Sequence, residues 1–513
     1  MRRLFVNARV YSTVLPAPDS VLVIDGTIEW VGKDGALQDF TVDEVIDCHN
    51  NWLAPSFVDA HVHLTSTGIS ANSQAVVRAR NTAEVAQWLI ANRLPNEITI
   101  GHGWDDAHWQ QPMQPQQLPQ DFAWYVSRID VHSAVISSAL IAMYPEIQEL
   151  DGFEPQGIVK RAAHGWIREK VFSGLSADTI SSYQQTALNL ASSHGITLVE
   201  EMGGPQISSV VDASISVSHG GSFPAVNLWW GQLNGHEVVS ELGAFGCGGD
   251  LFVDGSIGSC TAAMTSAYSN GAHGHLYLEL EEVSAHIVAA SLRKQPVSFH
   301  AIGDEAVERV LGGYLNAARQ LGIKNFAGFG HRIEHCEFLT RDNLALLVEL
   351  NIAASMQPNF DALWGGDNGM YFDRIGERAR ALNPFGTILS SGGVVVASSD
   401  SPVTSMNKWE SVRAMTEHHV TAERISSRAA FAAHNRSWWR HNGNSESGTI
   451  SVGSKSHLAL WEVPEFEQPT TDPAIKRWST DPRSATPPLP NLSAGIPRCM
   501  LTIREDDVIY VAS

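Results

Sequence analysis

The spacing of apolar positions changes character along the chain. Over residues 1–55, short β-type runs (LFVNARVY, SVLVIDGTIEWVG, EVIDCHNNWLA) are broken by Gly, Asp and Asn, which predicts small antiparallel strands. The same texture returns in GTISVGSKSHLALWEV and CMLTIREDDVIYVAS within residues 446–513, so the two ends are expected to build one β-sandwich. Between them, over 56–445, apolar strands alternate with amphipathic helices. In PVSFHAIGDEAVERVLGGYLNAARQLG, Ala306, Val307, Val310, Leu311, Tyr314, Leu315 and Ala318 recur at helical spacing after a short strand. Similar units surround GITLVEEMGG, DLFVDGSIGS, GHRIEHCEFL, IAASMQPNF and GVVVASSDSPV. This alternation predicts a TIM-like (β/α)8 barrel, with a doubly wound sheet as the alternative. Residues of about 70–165 break the alternation and contain QQPMQPQQLPQ, which marks an insertion.

Polar residues stand out at the strand ends. In PSFVDAHVHL, His61 and His63 are two apart, so both side chains share one face of a strand. His300 in SFHAIGD ends an apolar strand, His335 in RIEHCEF holds a similar position on the next strand unit, and Asp400 in VVVASSDSP follows the apolar Val394, Val395, Val396 and Ala397. Strand ends of a barrel line its catalytic rim, where side chains from separate strands converge. Imidazoles with a carboxylate form a ligand set that suits Zn²⁺ best, with Fe²⁺ and Mn²⁺ as alternatives. A metal of this kind lowers the pKa of its bound water from about 16 to about 7 and polarises a carbonyl, and Asp400 is placed to shuttle the proton.

Composition narrows the partners. The 513 residues carry 34 Lys+Arg against 55 Asp+Glu, a net charge of −21, which repels polyanions and argues against nucleic acid and anionic membrane. No segment has the length of a signal peptide core or a membrane span, the expectation for a cytoplasmic protein with a small-molecule substrate. The five cysteines are scattered without C-x-x-C spacing, so neither a disulfide framework nor a cysteine zinc site is indicated. A homodimer is the expected assembly for a barrel enzyme of this size.

PSFVDAHVHL, GHGWDDAHW, LFVDGSIGSCTA, HAIGDEAV, RIEHCEF and ASSDSPV, in that order, resemble the amidohydrolase superfamily, and most closely the family 3 branch that includes N-substituted formamide deformylase. The resemblance implies a metal-dependent hydrolase of non-peptide carbon–nitrogen bonds, acting through metal-bound hydroxide on an amide, formamide, carbamate or cyclic amide. It implies His61 and His63 on the first barrel strand, His300 on the fifth, His335 on the sixth and Asp400 on the eighth as ligands, with Asp400 and His335 in catalysis. Many relatives carry a carboxylated lysine bridging two metals at the fourth strand. Here the matching position is Asp250, and none of the lysines ends a strand before His300. One metal on His61, His63, His300 and Asp400 is one arrangement; the other adds a glutamate of ITLVEE, Glu200 or Glu201. His102, Trp104 and Asp105 of GHGWDDAHW, and His132 beside Asp130 in RIDVHSAVIS, match family elements that face the substrate. A deaminase, an ester or lactone hydrolase, and a non-catalytic small-molecule binder with a decayed metal site are the alternatives.

Overall fold

The computed structural model describes residues 1–12, 17–33, 41–106, 109–129, 133–444, 447–467 and 487–512. Eight parallel strands form its centre: β1 (Phe57–Val62), β2 (Ile196–Gly203), β3 (Ala225–Trp230), β4 (Gly246–Cys247), β5 (His300–Ala301), β6 (Arg332–His335), β7 (Ala353–Met356) and β8 (Val394–Ala397). They pair as two arcs of four, β1 to β4 and β5 to β8. Parallel bridges, Cys247 to Val297 and Phe252 to His300 at one joint and Val62 to Ser401 at the other, join the arcs into a ring. Backbone bonds reinforce these joints, among them Cys247 N to Pro296 O at 2.8 Å, His300 N to Leu251 O at 3.1 Å, His63 N to Ser401 O at 2.9 Å and Asp400 N to His61 O at 2.9 Å. The ring is the (β/α)8 arrangement, and the doubly wound alternative is excluded because a doubly wound sheet stays open.

β4 and β5 are only two residues each, and local chemistry explains the brevity. Gly248 has φ +128°, and a Cβ there would lie 1.9 Å from the carbonyl oxygen of Ser298. Only glycine lets the chain pass this close to β5. The bend sends the following residues, Asp250 among them, over the top of the ring. The helix after β5, Asp304–Leu321, buries Ala306, Val307, Val310, Leu311, Tyr314 and Ala318 as its spacing predicts and leaves Leu315 half-buried, and it ends at the left-handed Gly322.

The chain ends share a sheet. Trp52–Pro55 pairs with His457–Glu462, which continues through Arg498–Arg504 to Asp507–Val511. A second sheet, with Arg2–Val6 and Ser20–Ile24 at its centre, packs against it through Phe5, Val21, Val23, Leu53, Leu458 and Ile503. Between β1 and β2 a five-stranded sheet includes Thr99–Trp104, Trp124–Arg128 and Ser133–Ile136. All five cysteines are free. Among the described residues no helix is long and apolar enough to cross a membrane.

Aromatic rings weld the barrel to the terminal sheet. Trp409 lies 5.1 Å from Phe57, 5.4 Å from Trp461 and stacks on Phe431 at 5.5 Å. Tryptophan here serves packing, each ring removing a large apolar surface from water. Beside it, Lys408 Nζ lies 2.6 Å from Asp59 Oδ2 with both side chains fully buried, and Asp59 also accepts from Ser399 N and Oγ. Removing the cation strands a buried carboxylate, so Lys408→Met is expected to lose about 3–5 kcal/mol of stability. Urea unfolding measures this, and a loss below about 1 kcal/mol would show that Asp59 finds another partner.

Candidate metal centre

At the carboxyl ends of the strands the predicted polar residues meet. Alternation along β1 sends His61 and His63 the same way, His61 fully buried and His63 16% exposed. His335, the last residue of β6, has φ 67°, and Asp400, just past β8, has φ 54°. Left-handed backbone at a non-glycine residue costs on the order of 1–3 kcal/mol and persists where the surroundings over-determine it. At β6 it turns the ring of His335 out of the strand's alternation.

Asp250 stands at the centre. Its Oδ2 is 3.4 Å from His61 Nε2 and 3.2 Å from His63 Nε2, and its Oδ1 is 3.3 Å from His300 Nδ1 and 3.6 Å from His335 Nε2. Asp400 Oδ1 lies 3.3 Å from His61 Nε2 and 3.2 Å from His63 Nε2. Two overlapping groups, His61–His63–Asp400 and His61–Asp250–His335, bring their ligand atoms within 4.8 Å of one another. Atoms about 2.1 Å from one ion at tetrahedral angles stand roughly 3.4 Å apart, so these separations fit a shared cation.

Hydrogen bonds on the far side of each ring fix which nitrogen faces inward. His61 Nδ1 donates to Glu334 Oε2 at 2.9 Å, His63 Nδ1 to the Met202 carbonyl at 3.2 Å, and His335 Nδ1 to Gln357 Oε1 at 2.8 Å. Gln357 spends its amide donor on Ser398 Oγ, which leaves only the oxygen to face His335. All three rings therefore aim an Nε2 lone pair at the centre. The Nε2 atoms of His61 and His335 are buried without a hydrogen-bond partner, the condition of a ligand atom rather than of a packed histidine. His300 is turned round, with Nε2 on the Gly255 carbonyl at 3.2 Å and Nδ1 toward Asp250.

The field matches. Burial opposes the charge on Asp250 and on Asp400, yet His61 and the other rings outweigh it and hold both carboxyls below the ordinary range. Burial likewise opposes protonation of His63, but contacts with Asp250 and Asp400 raise it to about 10. Two buried carboxylates thus favour positive charge at the ring nitrogens, and a divalent cation supplies it.

A family model described as the amidohydrolase family matches residues 44–510. The chain belongs to amidohydrolase family 3. Within the family's wider kinship, Protein LONG AFTER FAR-RED 3 of Arabidopsis thaliana is 24% identical over 460 residues, covering 80% of this chain and 77% of that protein. The exoenzymes regulatory protein AepA of Pectobacterium carotovorum subsp. carotovorum is 22% identical over 356 residues, 60% of this chain and 76% of its own. A metal-dependent hydrolase from Pyrococcus furiosus has the same fold, with a TM-score of 0.73 at 21% identity over 90% of this chain and 98% of that one. Family and buried His/Asp cluster together make the chain a metal-dependent hydrolase of the amidohydrolase superfamily with a divalent metal site.

The remaining candidates fall outside the two close groups of ligand atoms, although Asp254 Oδ1 comes within 3.9 Å of His300 Nε2. Glu201 Oε2 accepts the Leu64 amide at 2.7 Å, and burial, with Asp212 nearby, pushes its carboxyl up to about 8. Glu200 pairs with Arg332. Asp254 accepts three amides, from Ala263, Ile302 and Gly303, and is a scaffold residue. His102 bonds Ser127 Oγ at 2.9 Å and lines a cleft of roughly 840 Å³ that runs past Thr67, Asn359, Ser401 and His419. Trp104 is buried with Nε1 on the Val126 carbonyl, and Asp105 pairs with Arg128 at 2.8 Å. His132 and Asp130 lie outside the described residues.

A second cluster, His236, Cys247 and His286, lies elsewhere in the barrel wall. His286 Nδ1 accepts the Asn234 amide at 3.1 Å, so its proton sits on Nε2, facing Cys247 Sγ at 3.4 Å. That geometry makes a neutral hydrogen-bonded knot.

Sequence spacing missed Glu334, Arg332 and Gln357. The available signal was two opposite charges, Arg332 and Glu334, two apart and so on one face of a short strand.

Proposed function

We propose that the centre hydrolyses a non-peptide carbon–nitrogen bond of a small molecule: an amide, carbamate or cyclic amide, with an N-substituted formamide as the finer choice. The observation that carries this reading is the convergence of lone-pair Nε2 atoms, two of them orphaned, on the paired carboxylates Asp250 and Asp400. His61, His63, His335, Asp250 and Asp400 are the residues to hold the ion, Zn²⁺ before Fe²⁺ or Mn²⁺, with His300 anchoring Asp250. When bound, such an ion polarises a carbonyl and acidifies water.

The chain's own groups do the rest. Asp400 turns Oδ1 to the rings and keeps a second oxygen to accept the proton of the attacking water and return it to the leaving nitrogen. His335, with Nδ1 held by Gln357, is left with Nε2 for the ion and acts as a ligand. Phe252, 4.8 Å from His300, and Phe360, parallel to His335 at 6.1 Å, give the reacting bond an apolar wall that strengthens these electrostatic effects.

The test is metal analysis of protein purified without chelator, followed by a panel of N-substituted formamides, N-acyl amines, carbamates and cyclic amides read for carboxylate, formate and ammonia. Stoichiometric metal and carboxylate or formate release that stops on chelation are expected. Absence of stoichiometric metal, or turnover indifferent to chelation, would sink the reading. Ammonia from an aminated ring with no amide turnover would replace it with a deaminase.

A further inference from the structure

Below the centre, the barrel interior holds a ladder of charge. Arg332 is 1% exposed. Its Nε donates to Glu334 Oε1 at 2.5 Å, its second guanidinium nitrogen to Glu200, and its third to the Ala60 carbonyl at 2.8 Å, while the plane lies 4.3 Å from the ring of Trp229. Glu334 Oε1 also accepts from Ser298 Oγ at 2.6 Å, which leaves Oε2 for His61 Nδ1. Both oxygens of Glu334 are thus committed, one to the scaffold and one to the ring. The partners of His63 and His335 are neutral carbonyl oxygens. Among these three rings, His61 alone leans on an anion, and His61 belongs to both groups of close ligand atoms.

A charged acceptor on Nδ1 locks the tautomer, fixes the ring's rotation and makes Nε2 a stronger donor to a cation. We propose that Glu334, oriented by Arg332 and Ser298, is the positioning residue that presents His61 Nε2 to the metal. The reading rests on the metal centre described above and adds the residue that sets its affinity. Arg332 acts one step further out. It neutralises Glu334 and Glu200 enough to keep both in a dry interior, and its bond to Ala60, the neighbour of His61, ties the same strand in place.

The experiment titrates metal-free protein with Zn²⁺, and separately Mn²⁺, against a fluorescent chelator. Glu334→Gln keeps the shape and removes the charge. It is expected to weaken both ions by about 10–100-fold and to lower the thermal midpoint of the metal-free protein, which stays folded because Arg332 keeps Glu200 as its counter-ion. Ser298→Ala, which touches neither the ring nor the ion, is expected to weaken them severalfold. The double variant should fall short of the product of the two, because both act through one carboxylate. Glu334→Gln that binds within about twofold of the parent overturns the proposal. So does a loss of affinity that vanishes when both proteins are titrated well below their thermal midpoints. If Glu334→Gln fails to fold, Ser298→Ala with parental affinity overturns it instead. A parent protein that takes up neither ion defeats the metal centre itself and this inference with it.

Discussion

Asp400→Asn is expected to reduce turnover of the amide found in the panel by about 10²–10⁴-fold, the usual worth of a positioned proton carrier. Asparagine keeps the shape and an oxygen for the rings but cannot accept a proton. The anchoring of the residue survives, since its amide bond to the His61 carbonyl is made by the backbone. The confounding effect is loss of the ion, because Asp400 Oδ1 sits among the ring nitrogens. Turnover and metal content are therefore measured on the same samples at saturating Zn²⁺. Metal-replete Asp400→Asn with kcat within about threefold of the parent would remove Asp400 from proton transfer and leave it a ligand.

Acid is expected to unfold the protein unusually early. His286, His331 and His434 are driven down to about 3, and His441 and His457 to about 4, in each case chiefly by burial. Their hydrogen bonds agree: His331 Nδ1 accepts the Val297 amide at 2.9 Å, and His434 donates from Nδ1 to the Ala430 carbonyl while Nε2 lies 2.7 Å from Ser411 Oγ. Unfolded, each imidazole takes up a proton near pH 6.5. The stability these residues contribute is therefore complete above about pH 6.5 and is lost as the pH falls toward the folded-state values. Each adds up to about 1.4 kcal/mol per pH unit to the slope between pH 6 and 4, an effect partly offset by carboxyls that burial raises, Glu201 to about 8, Glu337 to about 7 and Asp212 and Asp254 to about 6. His63, raised to about 10, runs the other way: in cation-free protein its contribution is complete below about pH 6.5 and lost as the pH climbs toward 10. The urea midpoint of metal-replete protein should fall as the pH drops below 6. A midpoint unchanged at pH 5 would contradict the account.

Much of the centre could be read from spacing because the signals were local. His61 and His63 announced a shared face by being two apart, His300 and Asp400 followed apolar runs, and His335 held the matching place in the next strand unit. Asp250 drew notice by standing where relatives carry a lysine. The supporting groups were harder to see for a physical reason: Glu334 acts across the barrel on a residue of another strand, and no periodicity records which strands face each other. The left-handed turn at His335 hid it further. Strict alternation puts His335 and Glu334 on opposite faces, and only the φ of 67° lets one serve the ion while the other serves the ring behind it. The architecture followed the same division. Strand–helix alternation and the shared texture of the two ends were legible, whereas the two-residue strands β4 and β5 depend on a glycine contact with Ser298 that exists only once the ring is formed.

The bridge between Val62 and Ser401, where the ring's first and last strands meet, gives the ion a mechanical part as well as a chemical one. His61 and His63 belong to one lip of that join and Asp400 to the other, so a bound cation clasps two distant stretches of chain at the point where pairing is thinnest. Its binding energy is then also closure energy. Stripping the metal should open the protein first along that join, making the residues around 401–407 an early target for a protease while the opposite wall still holds.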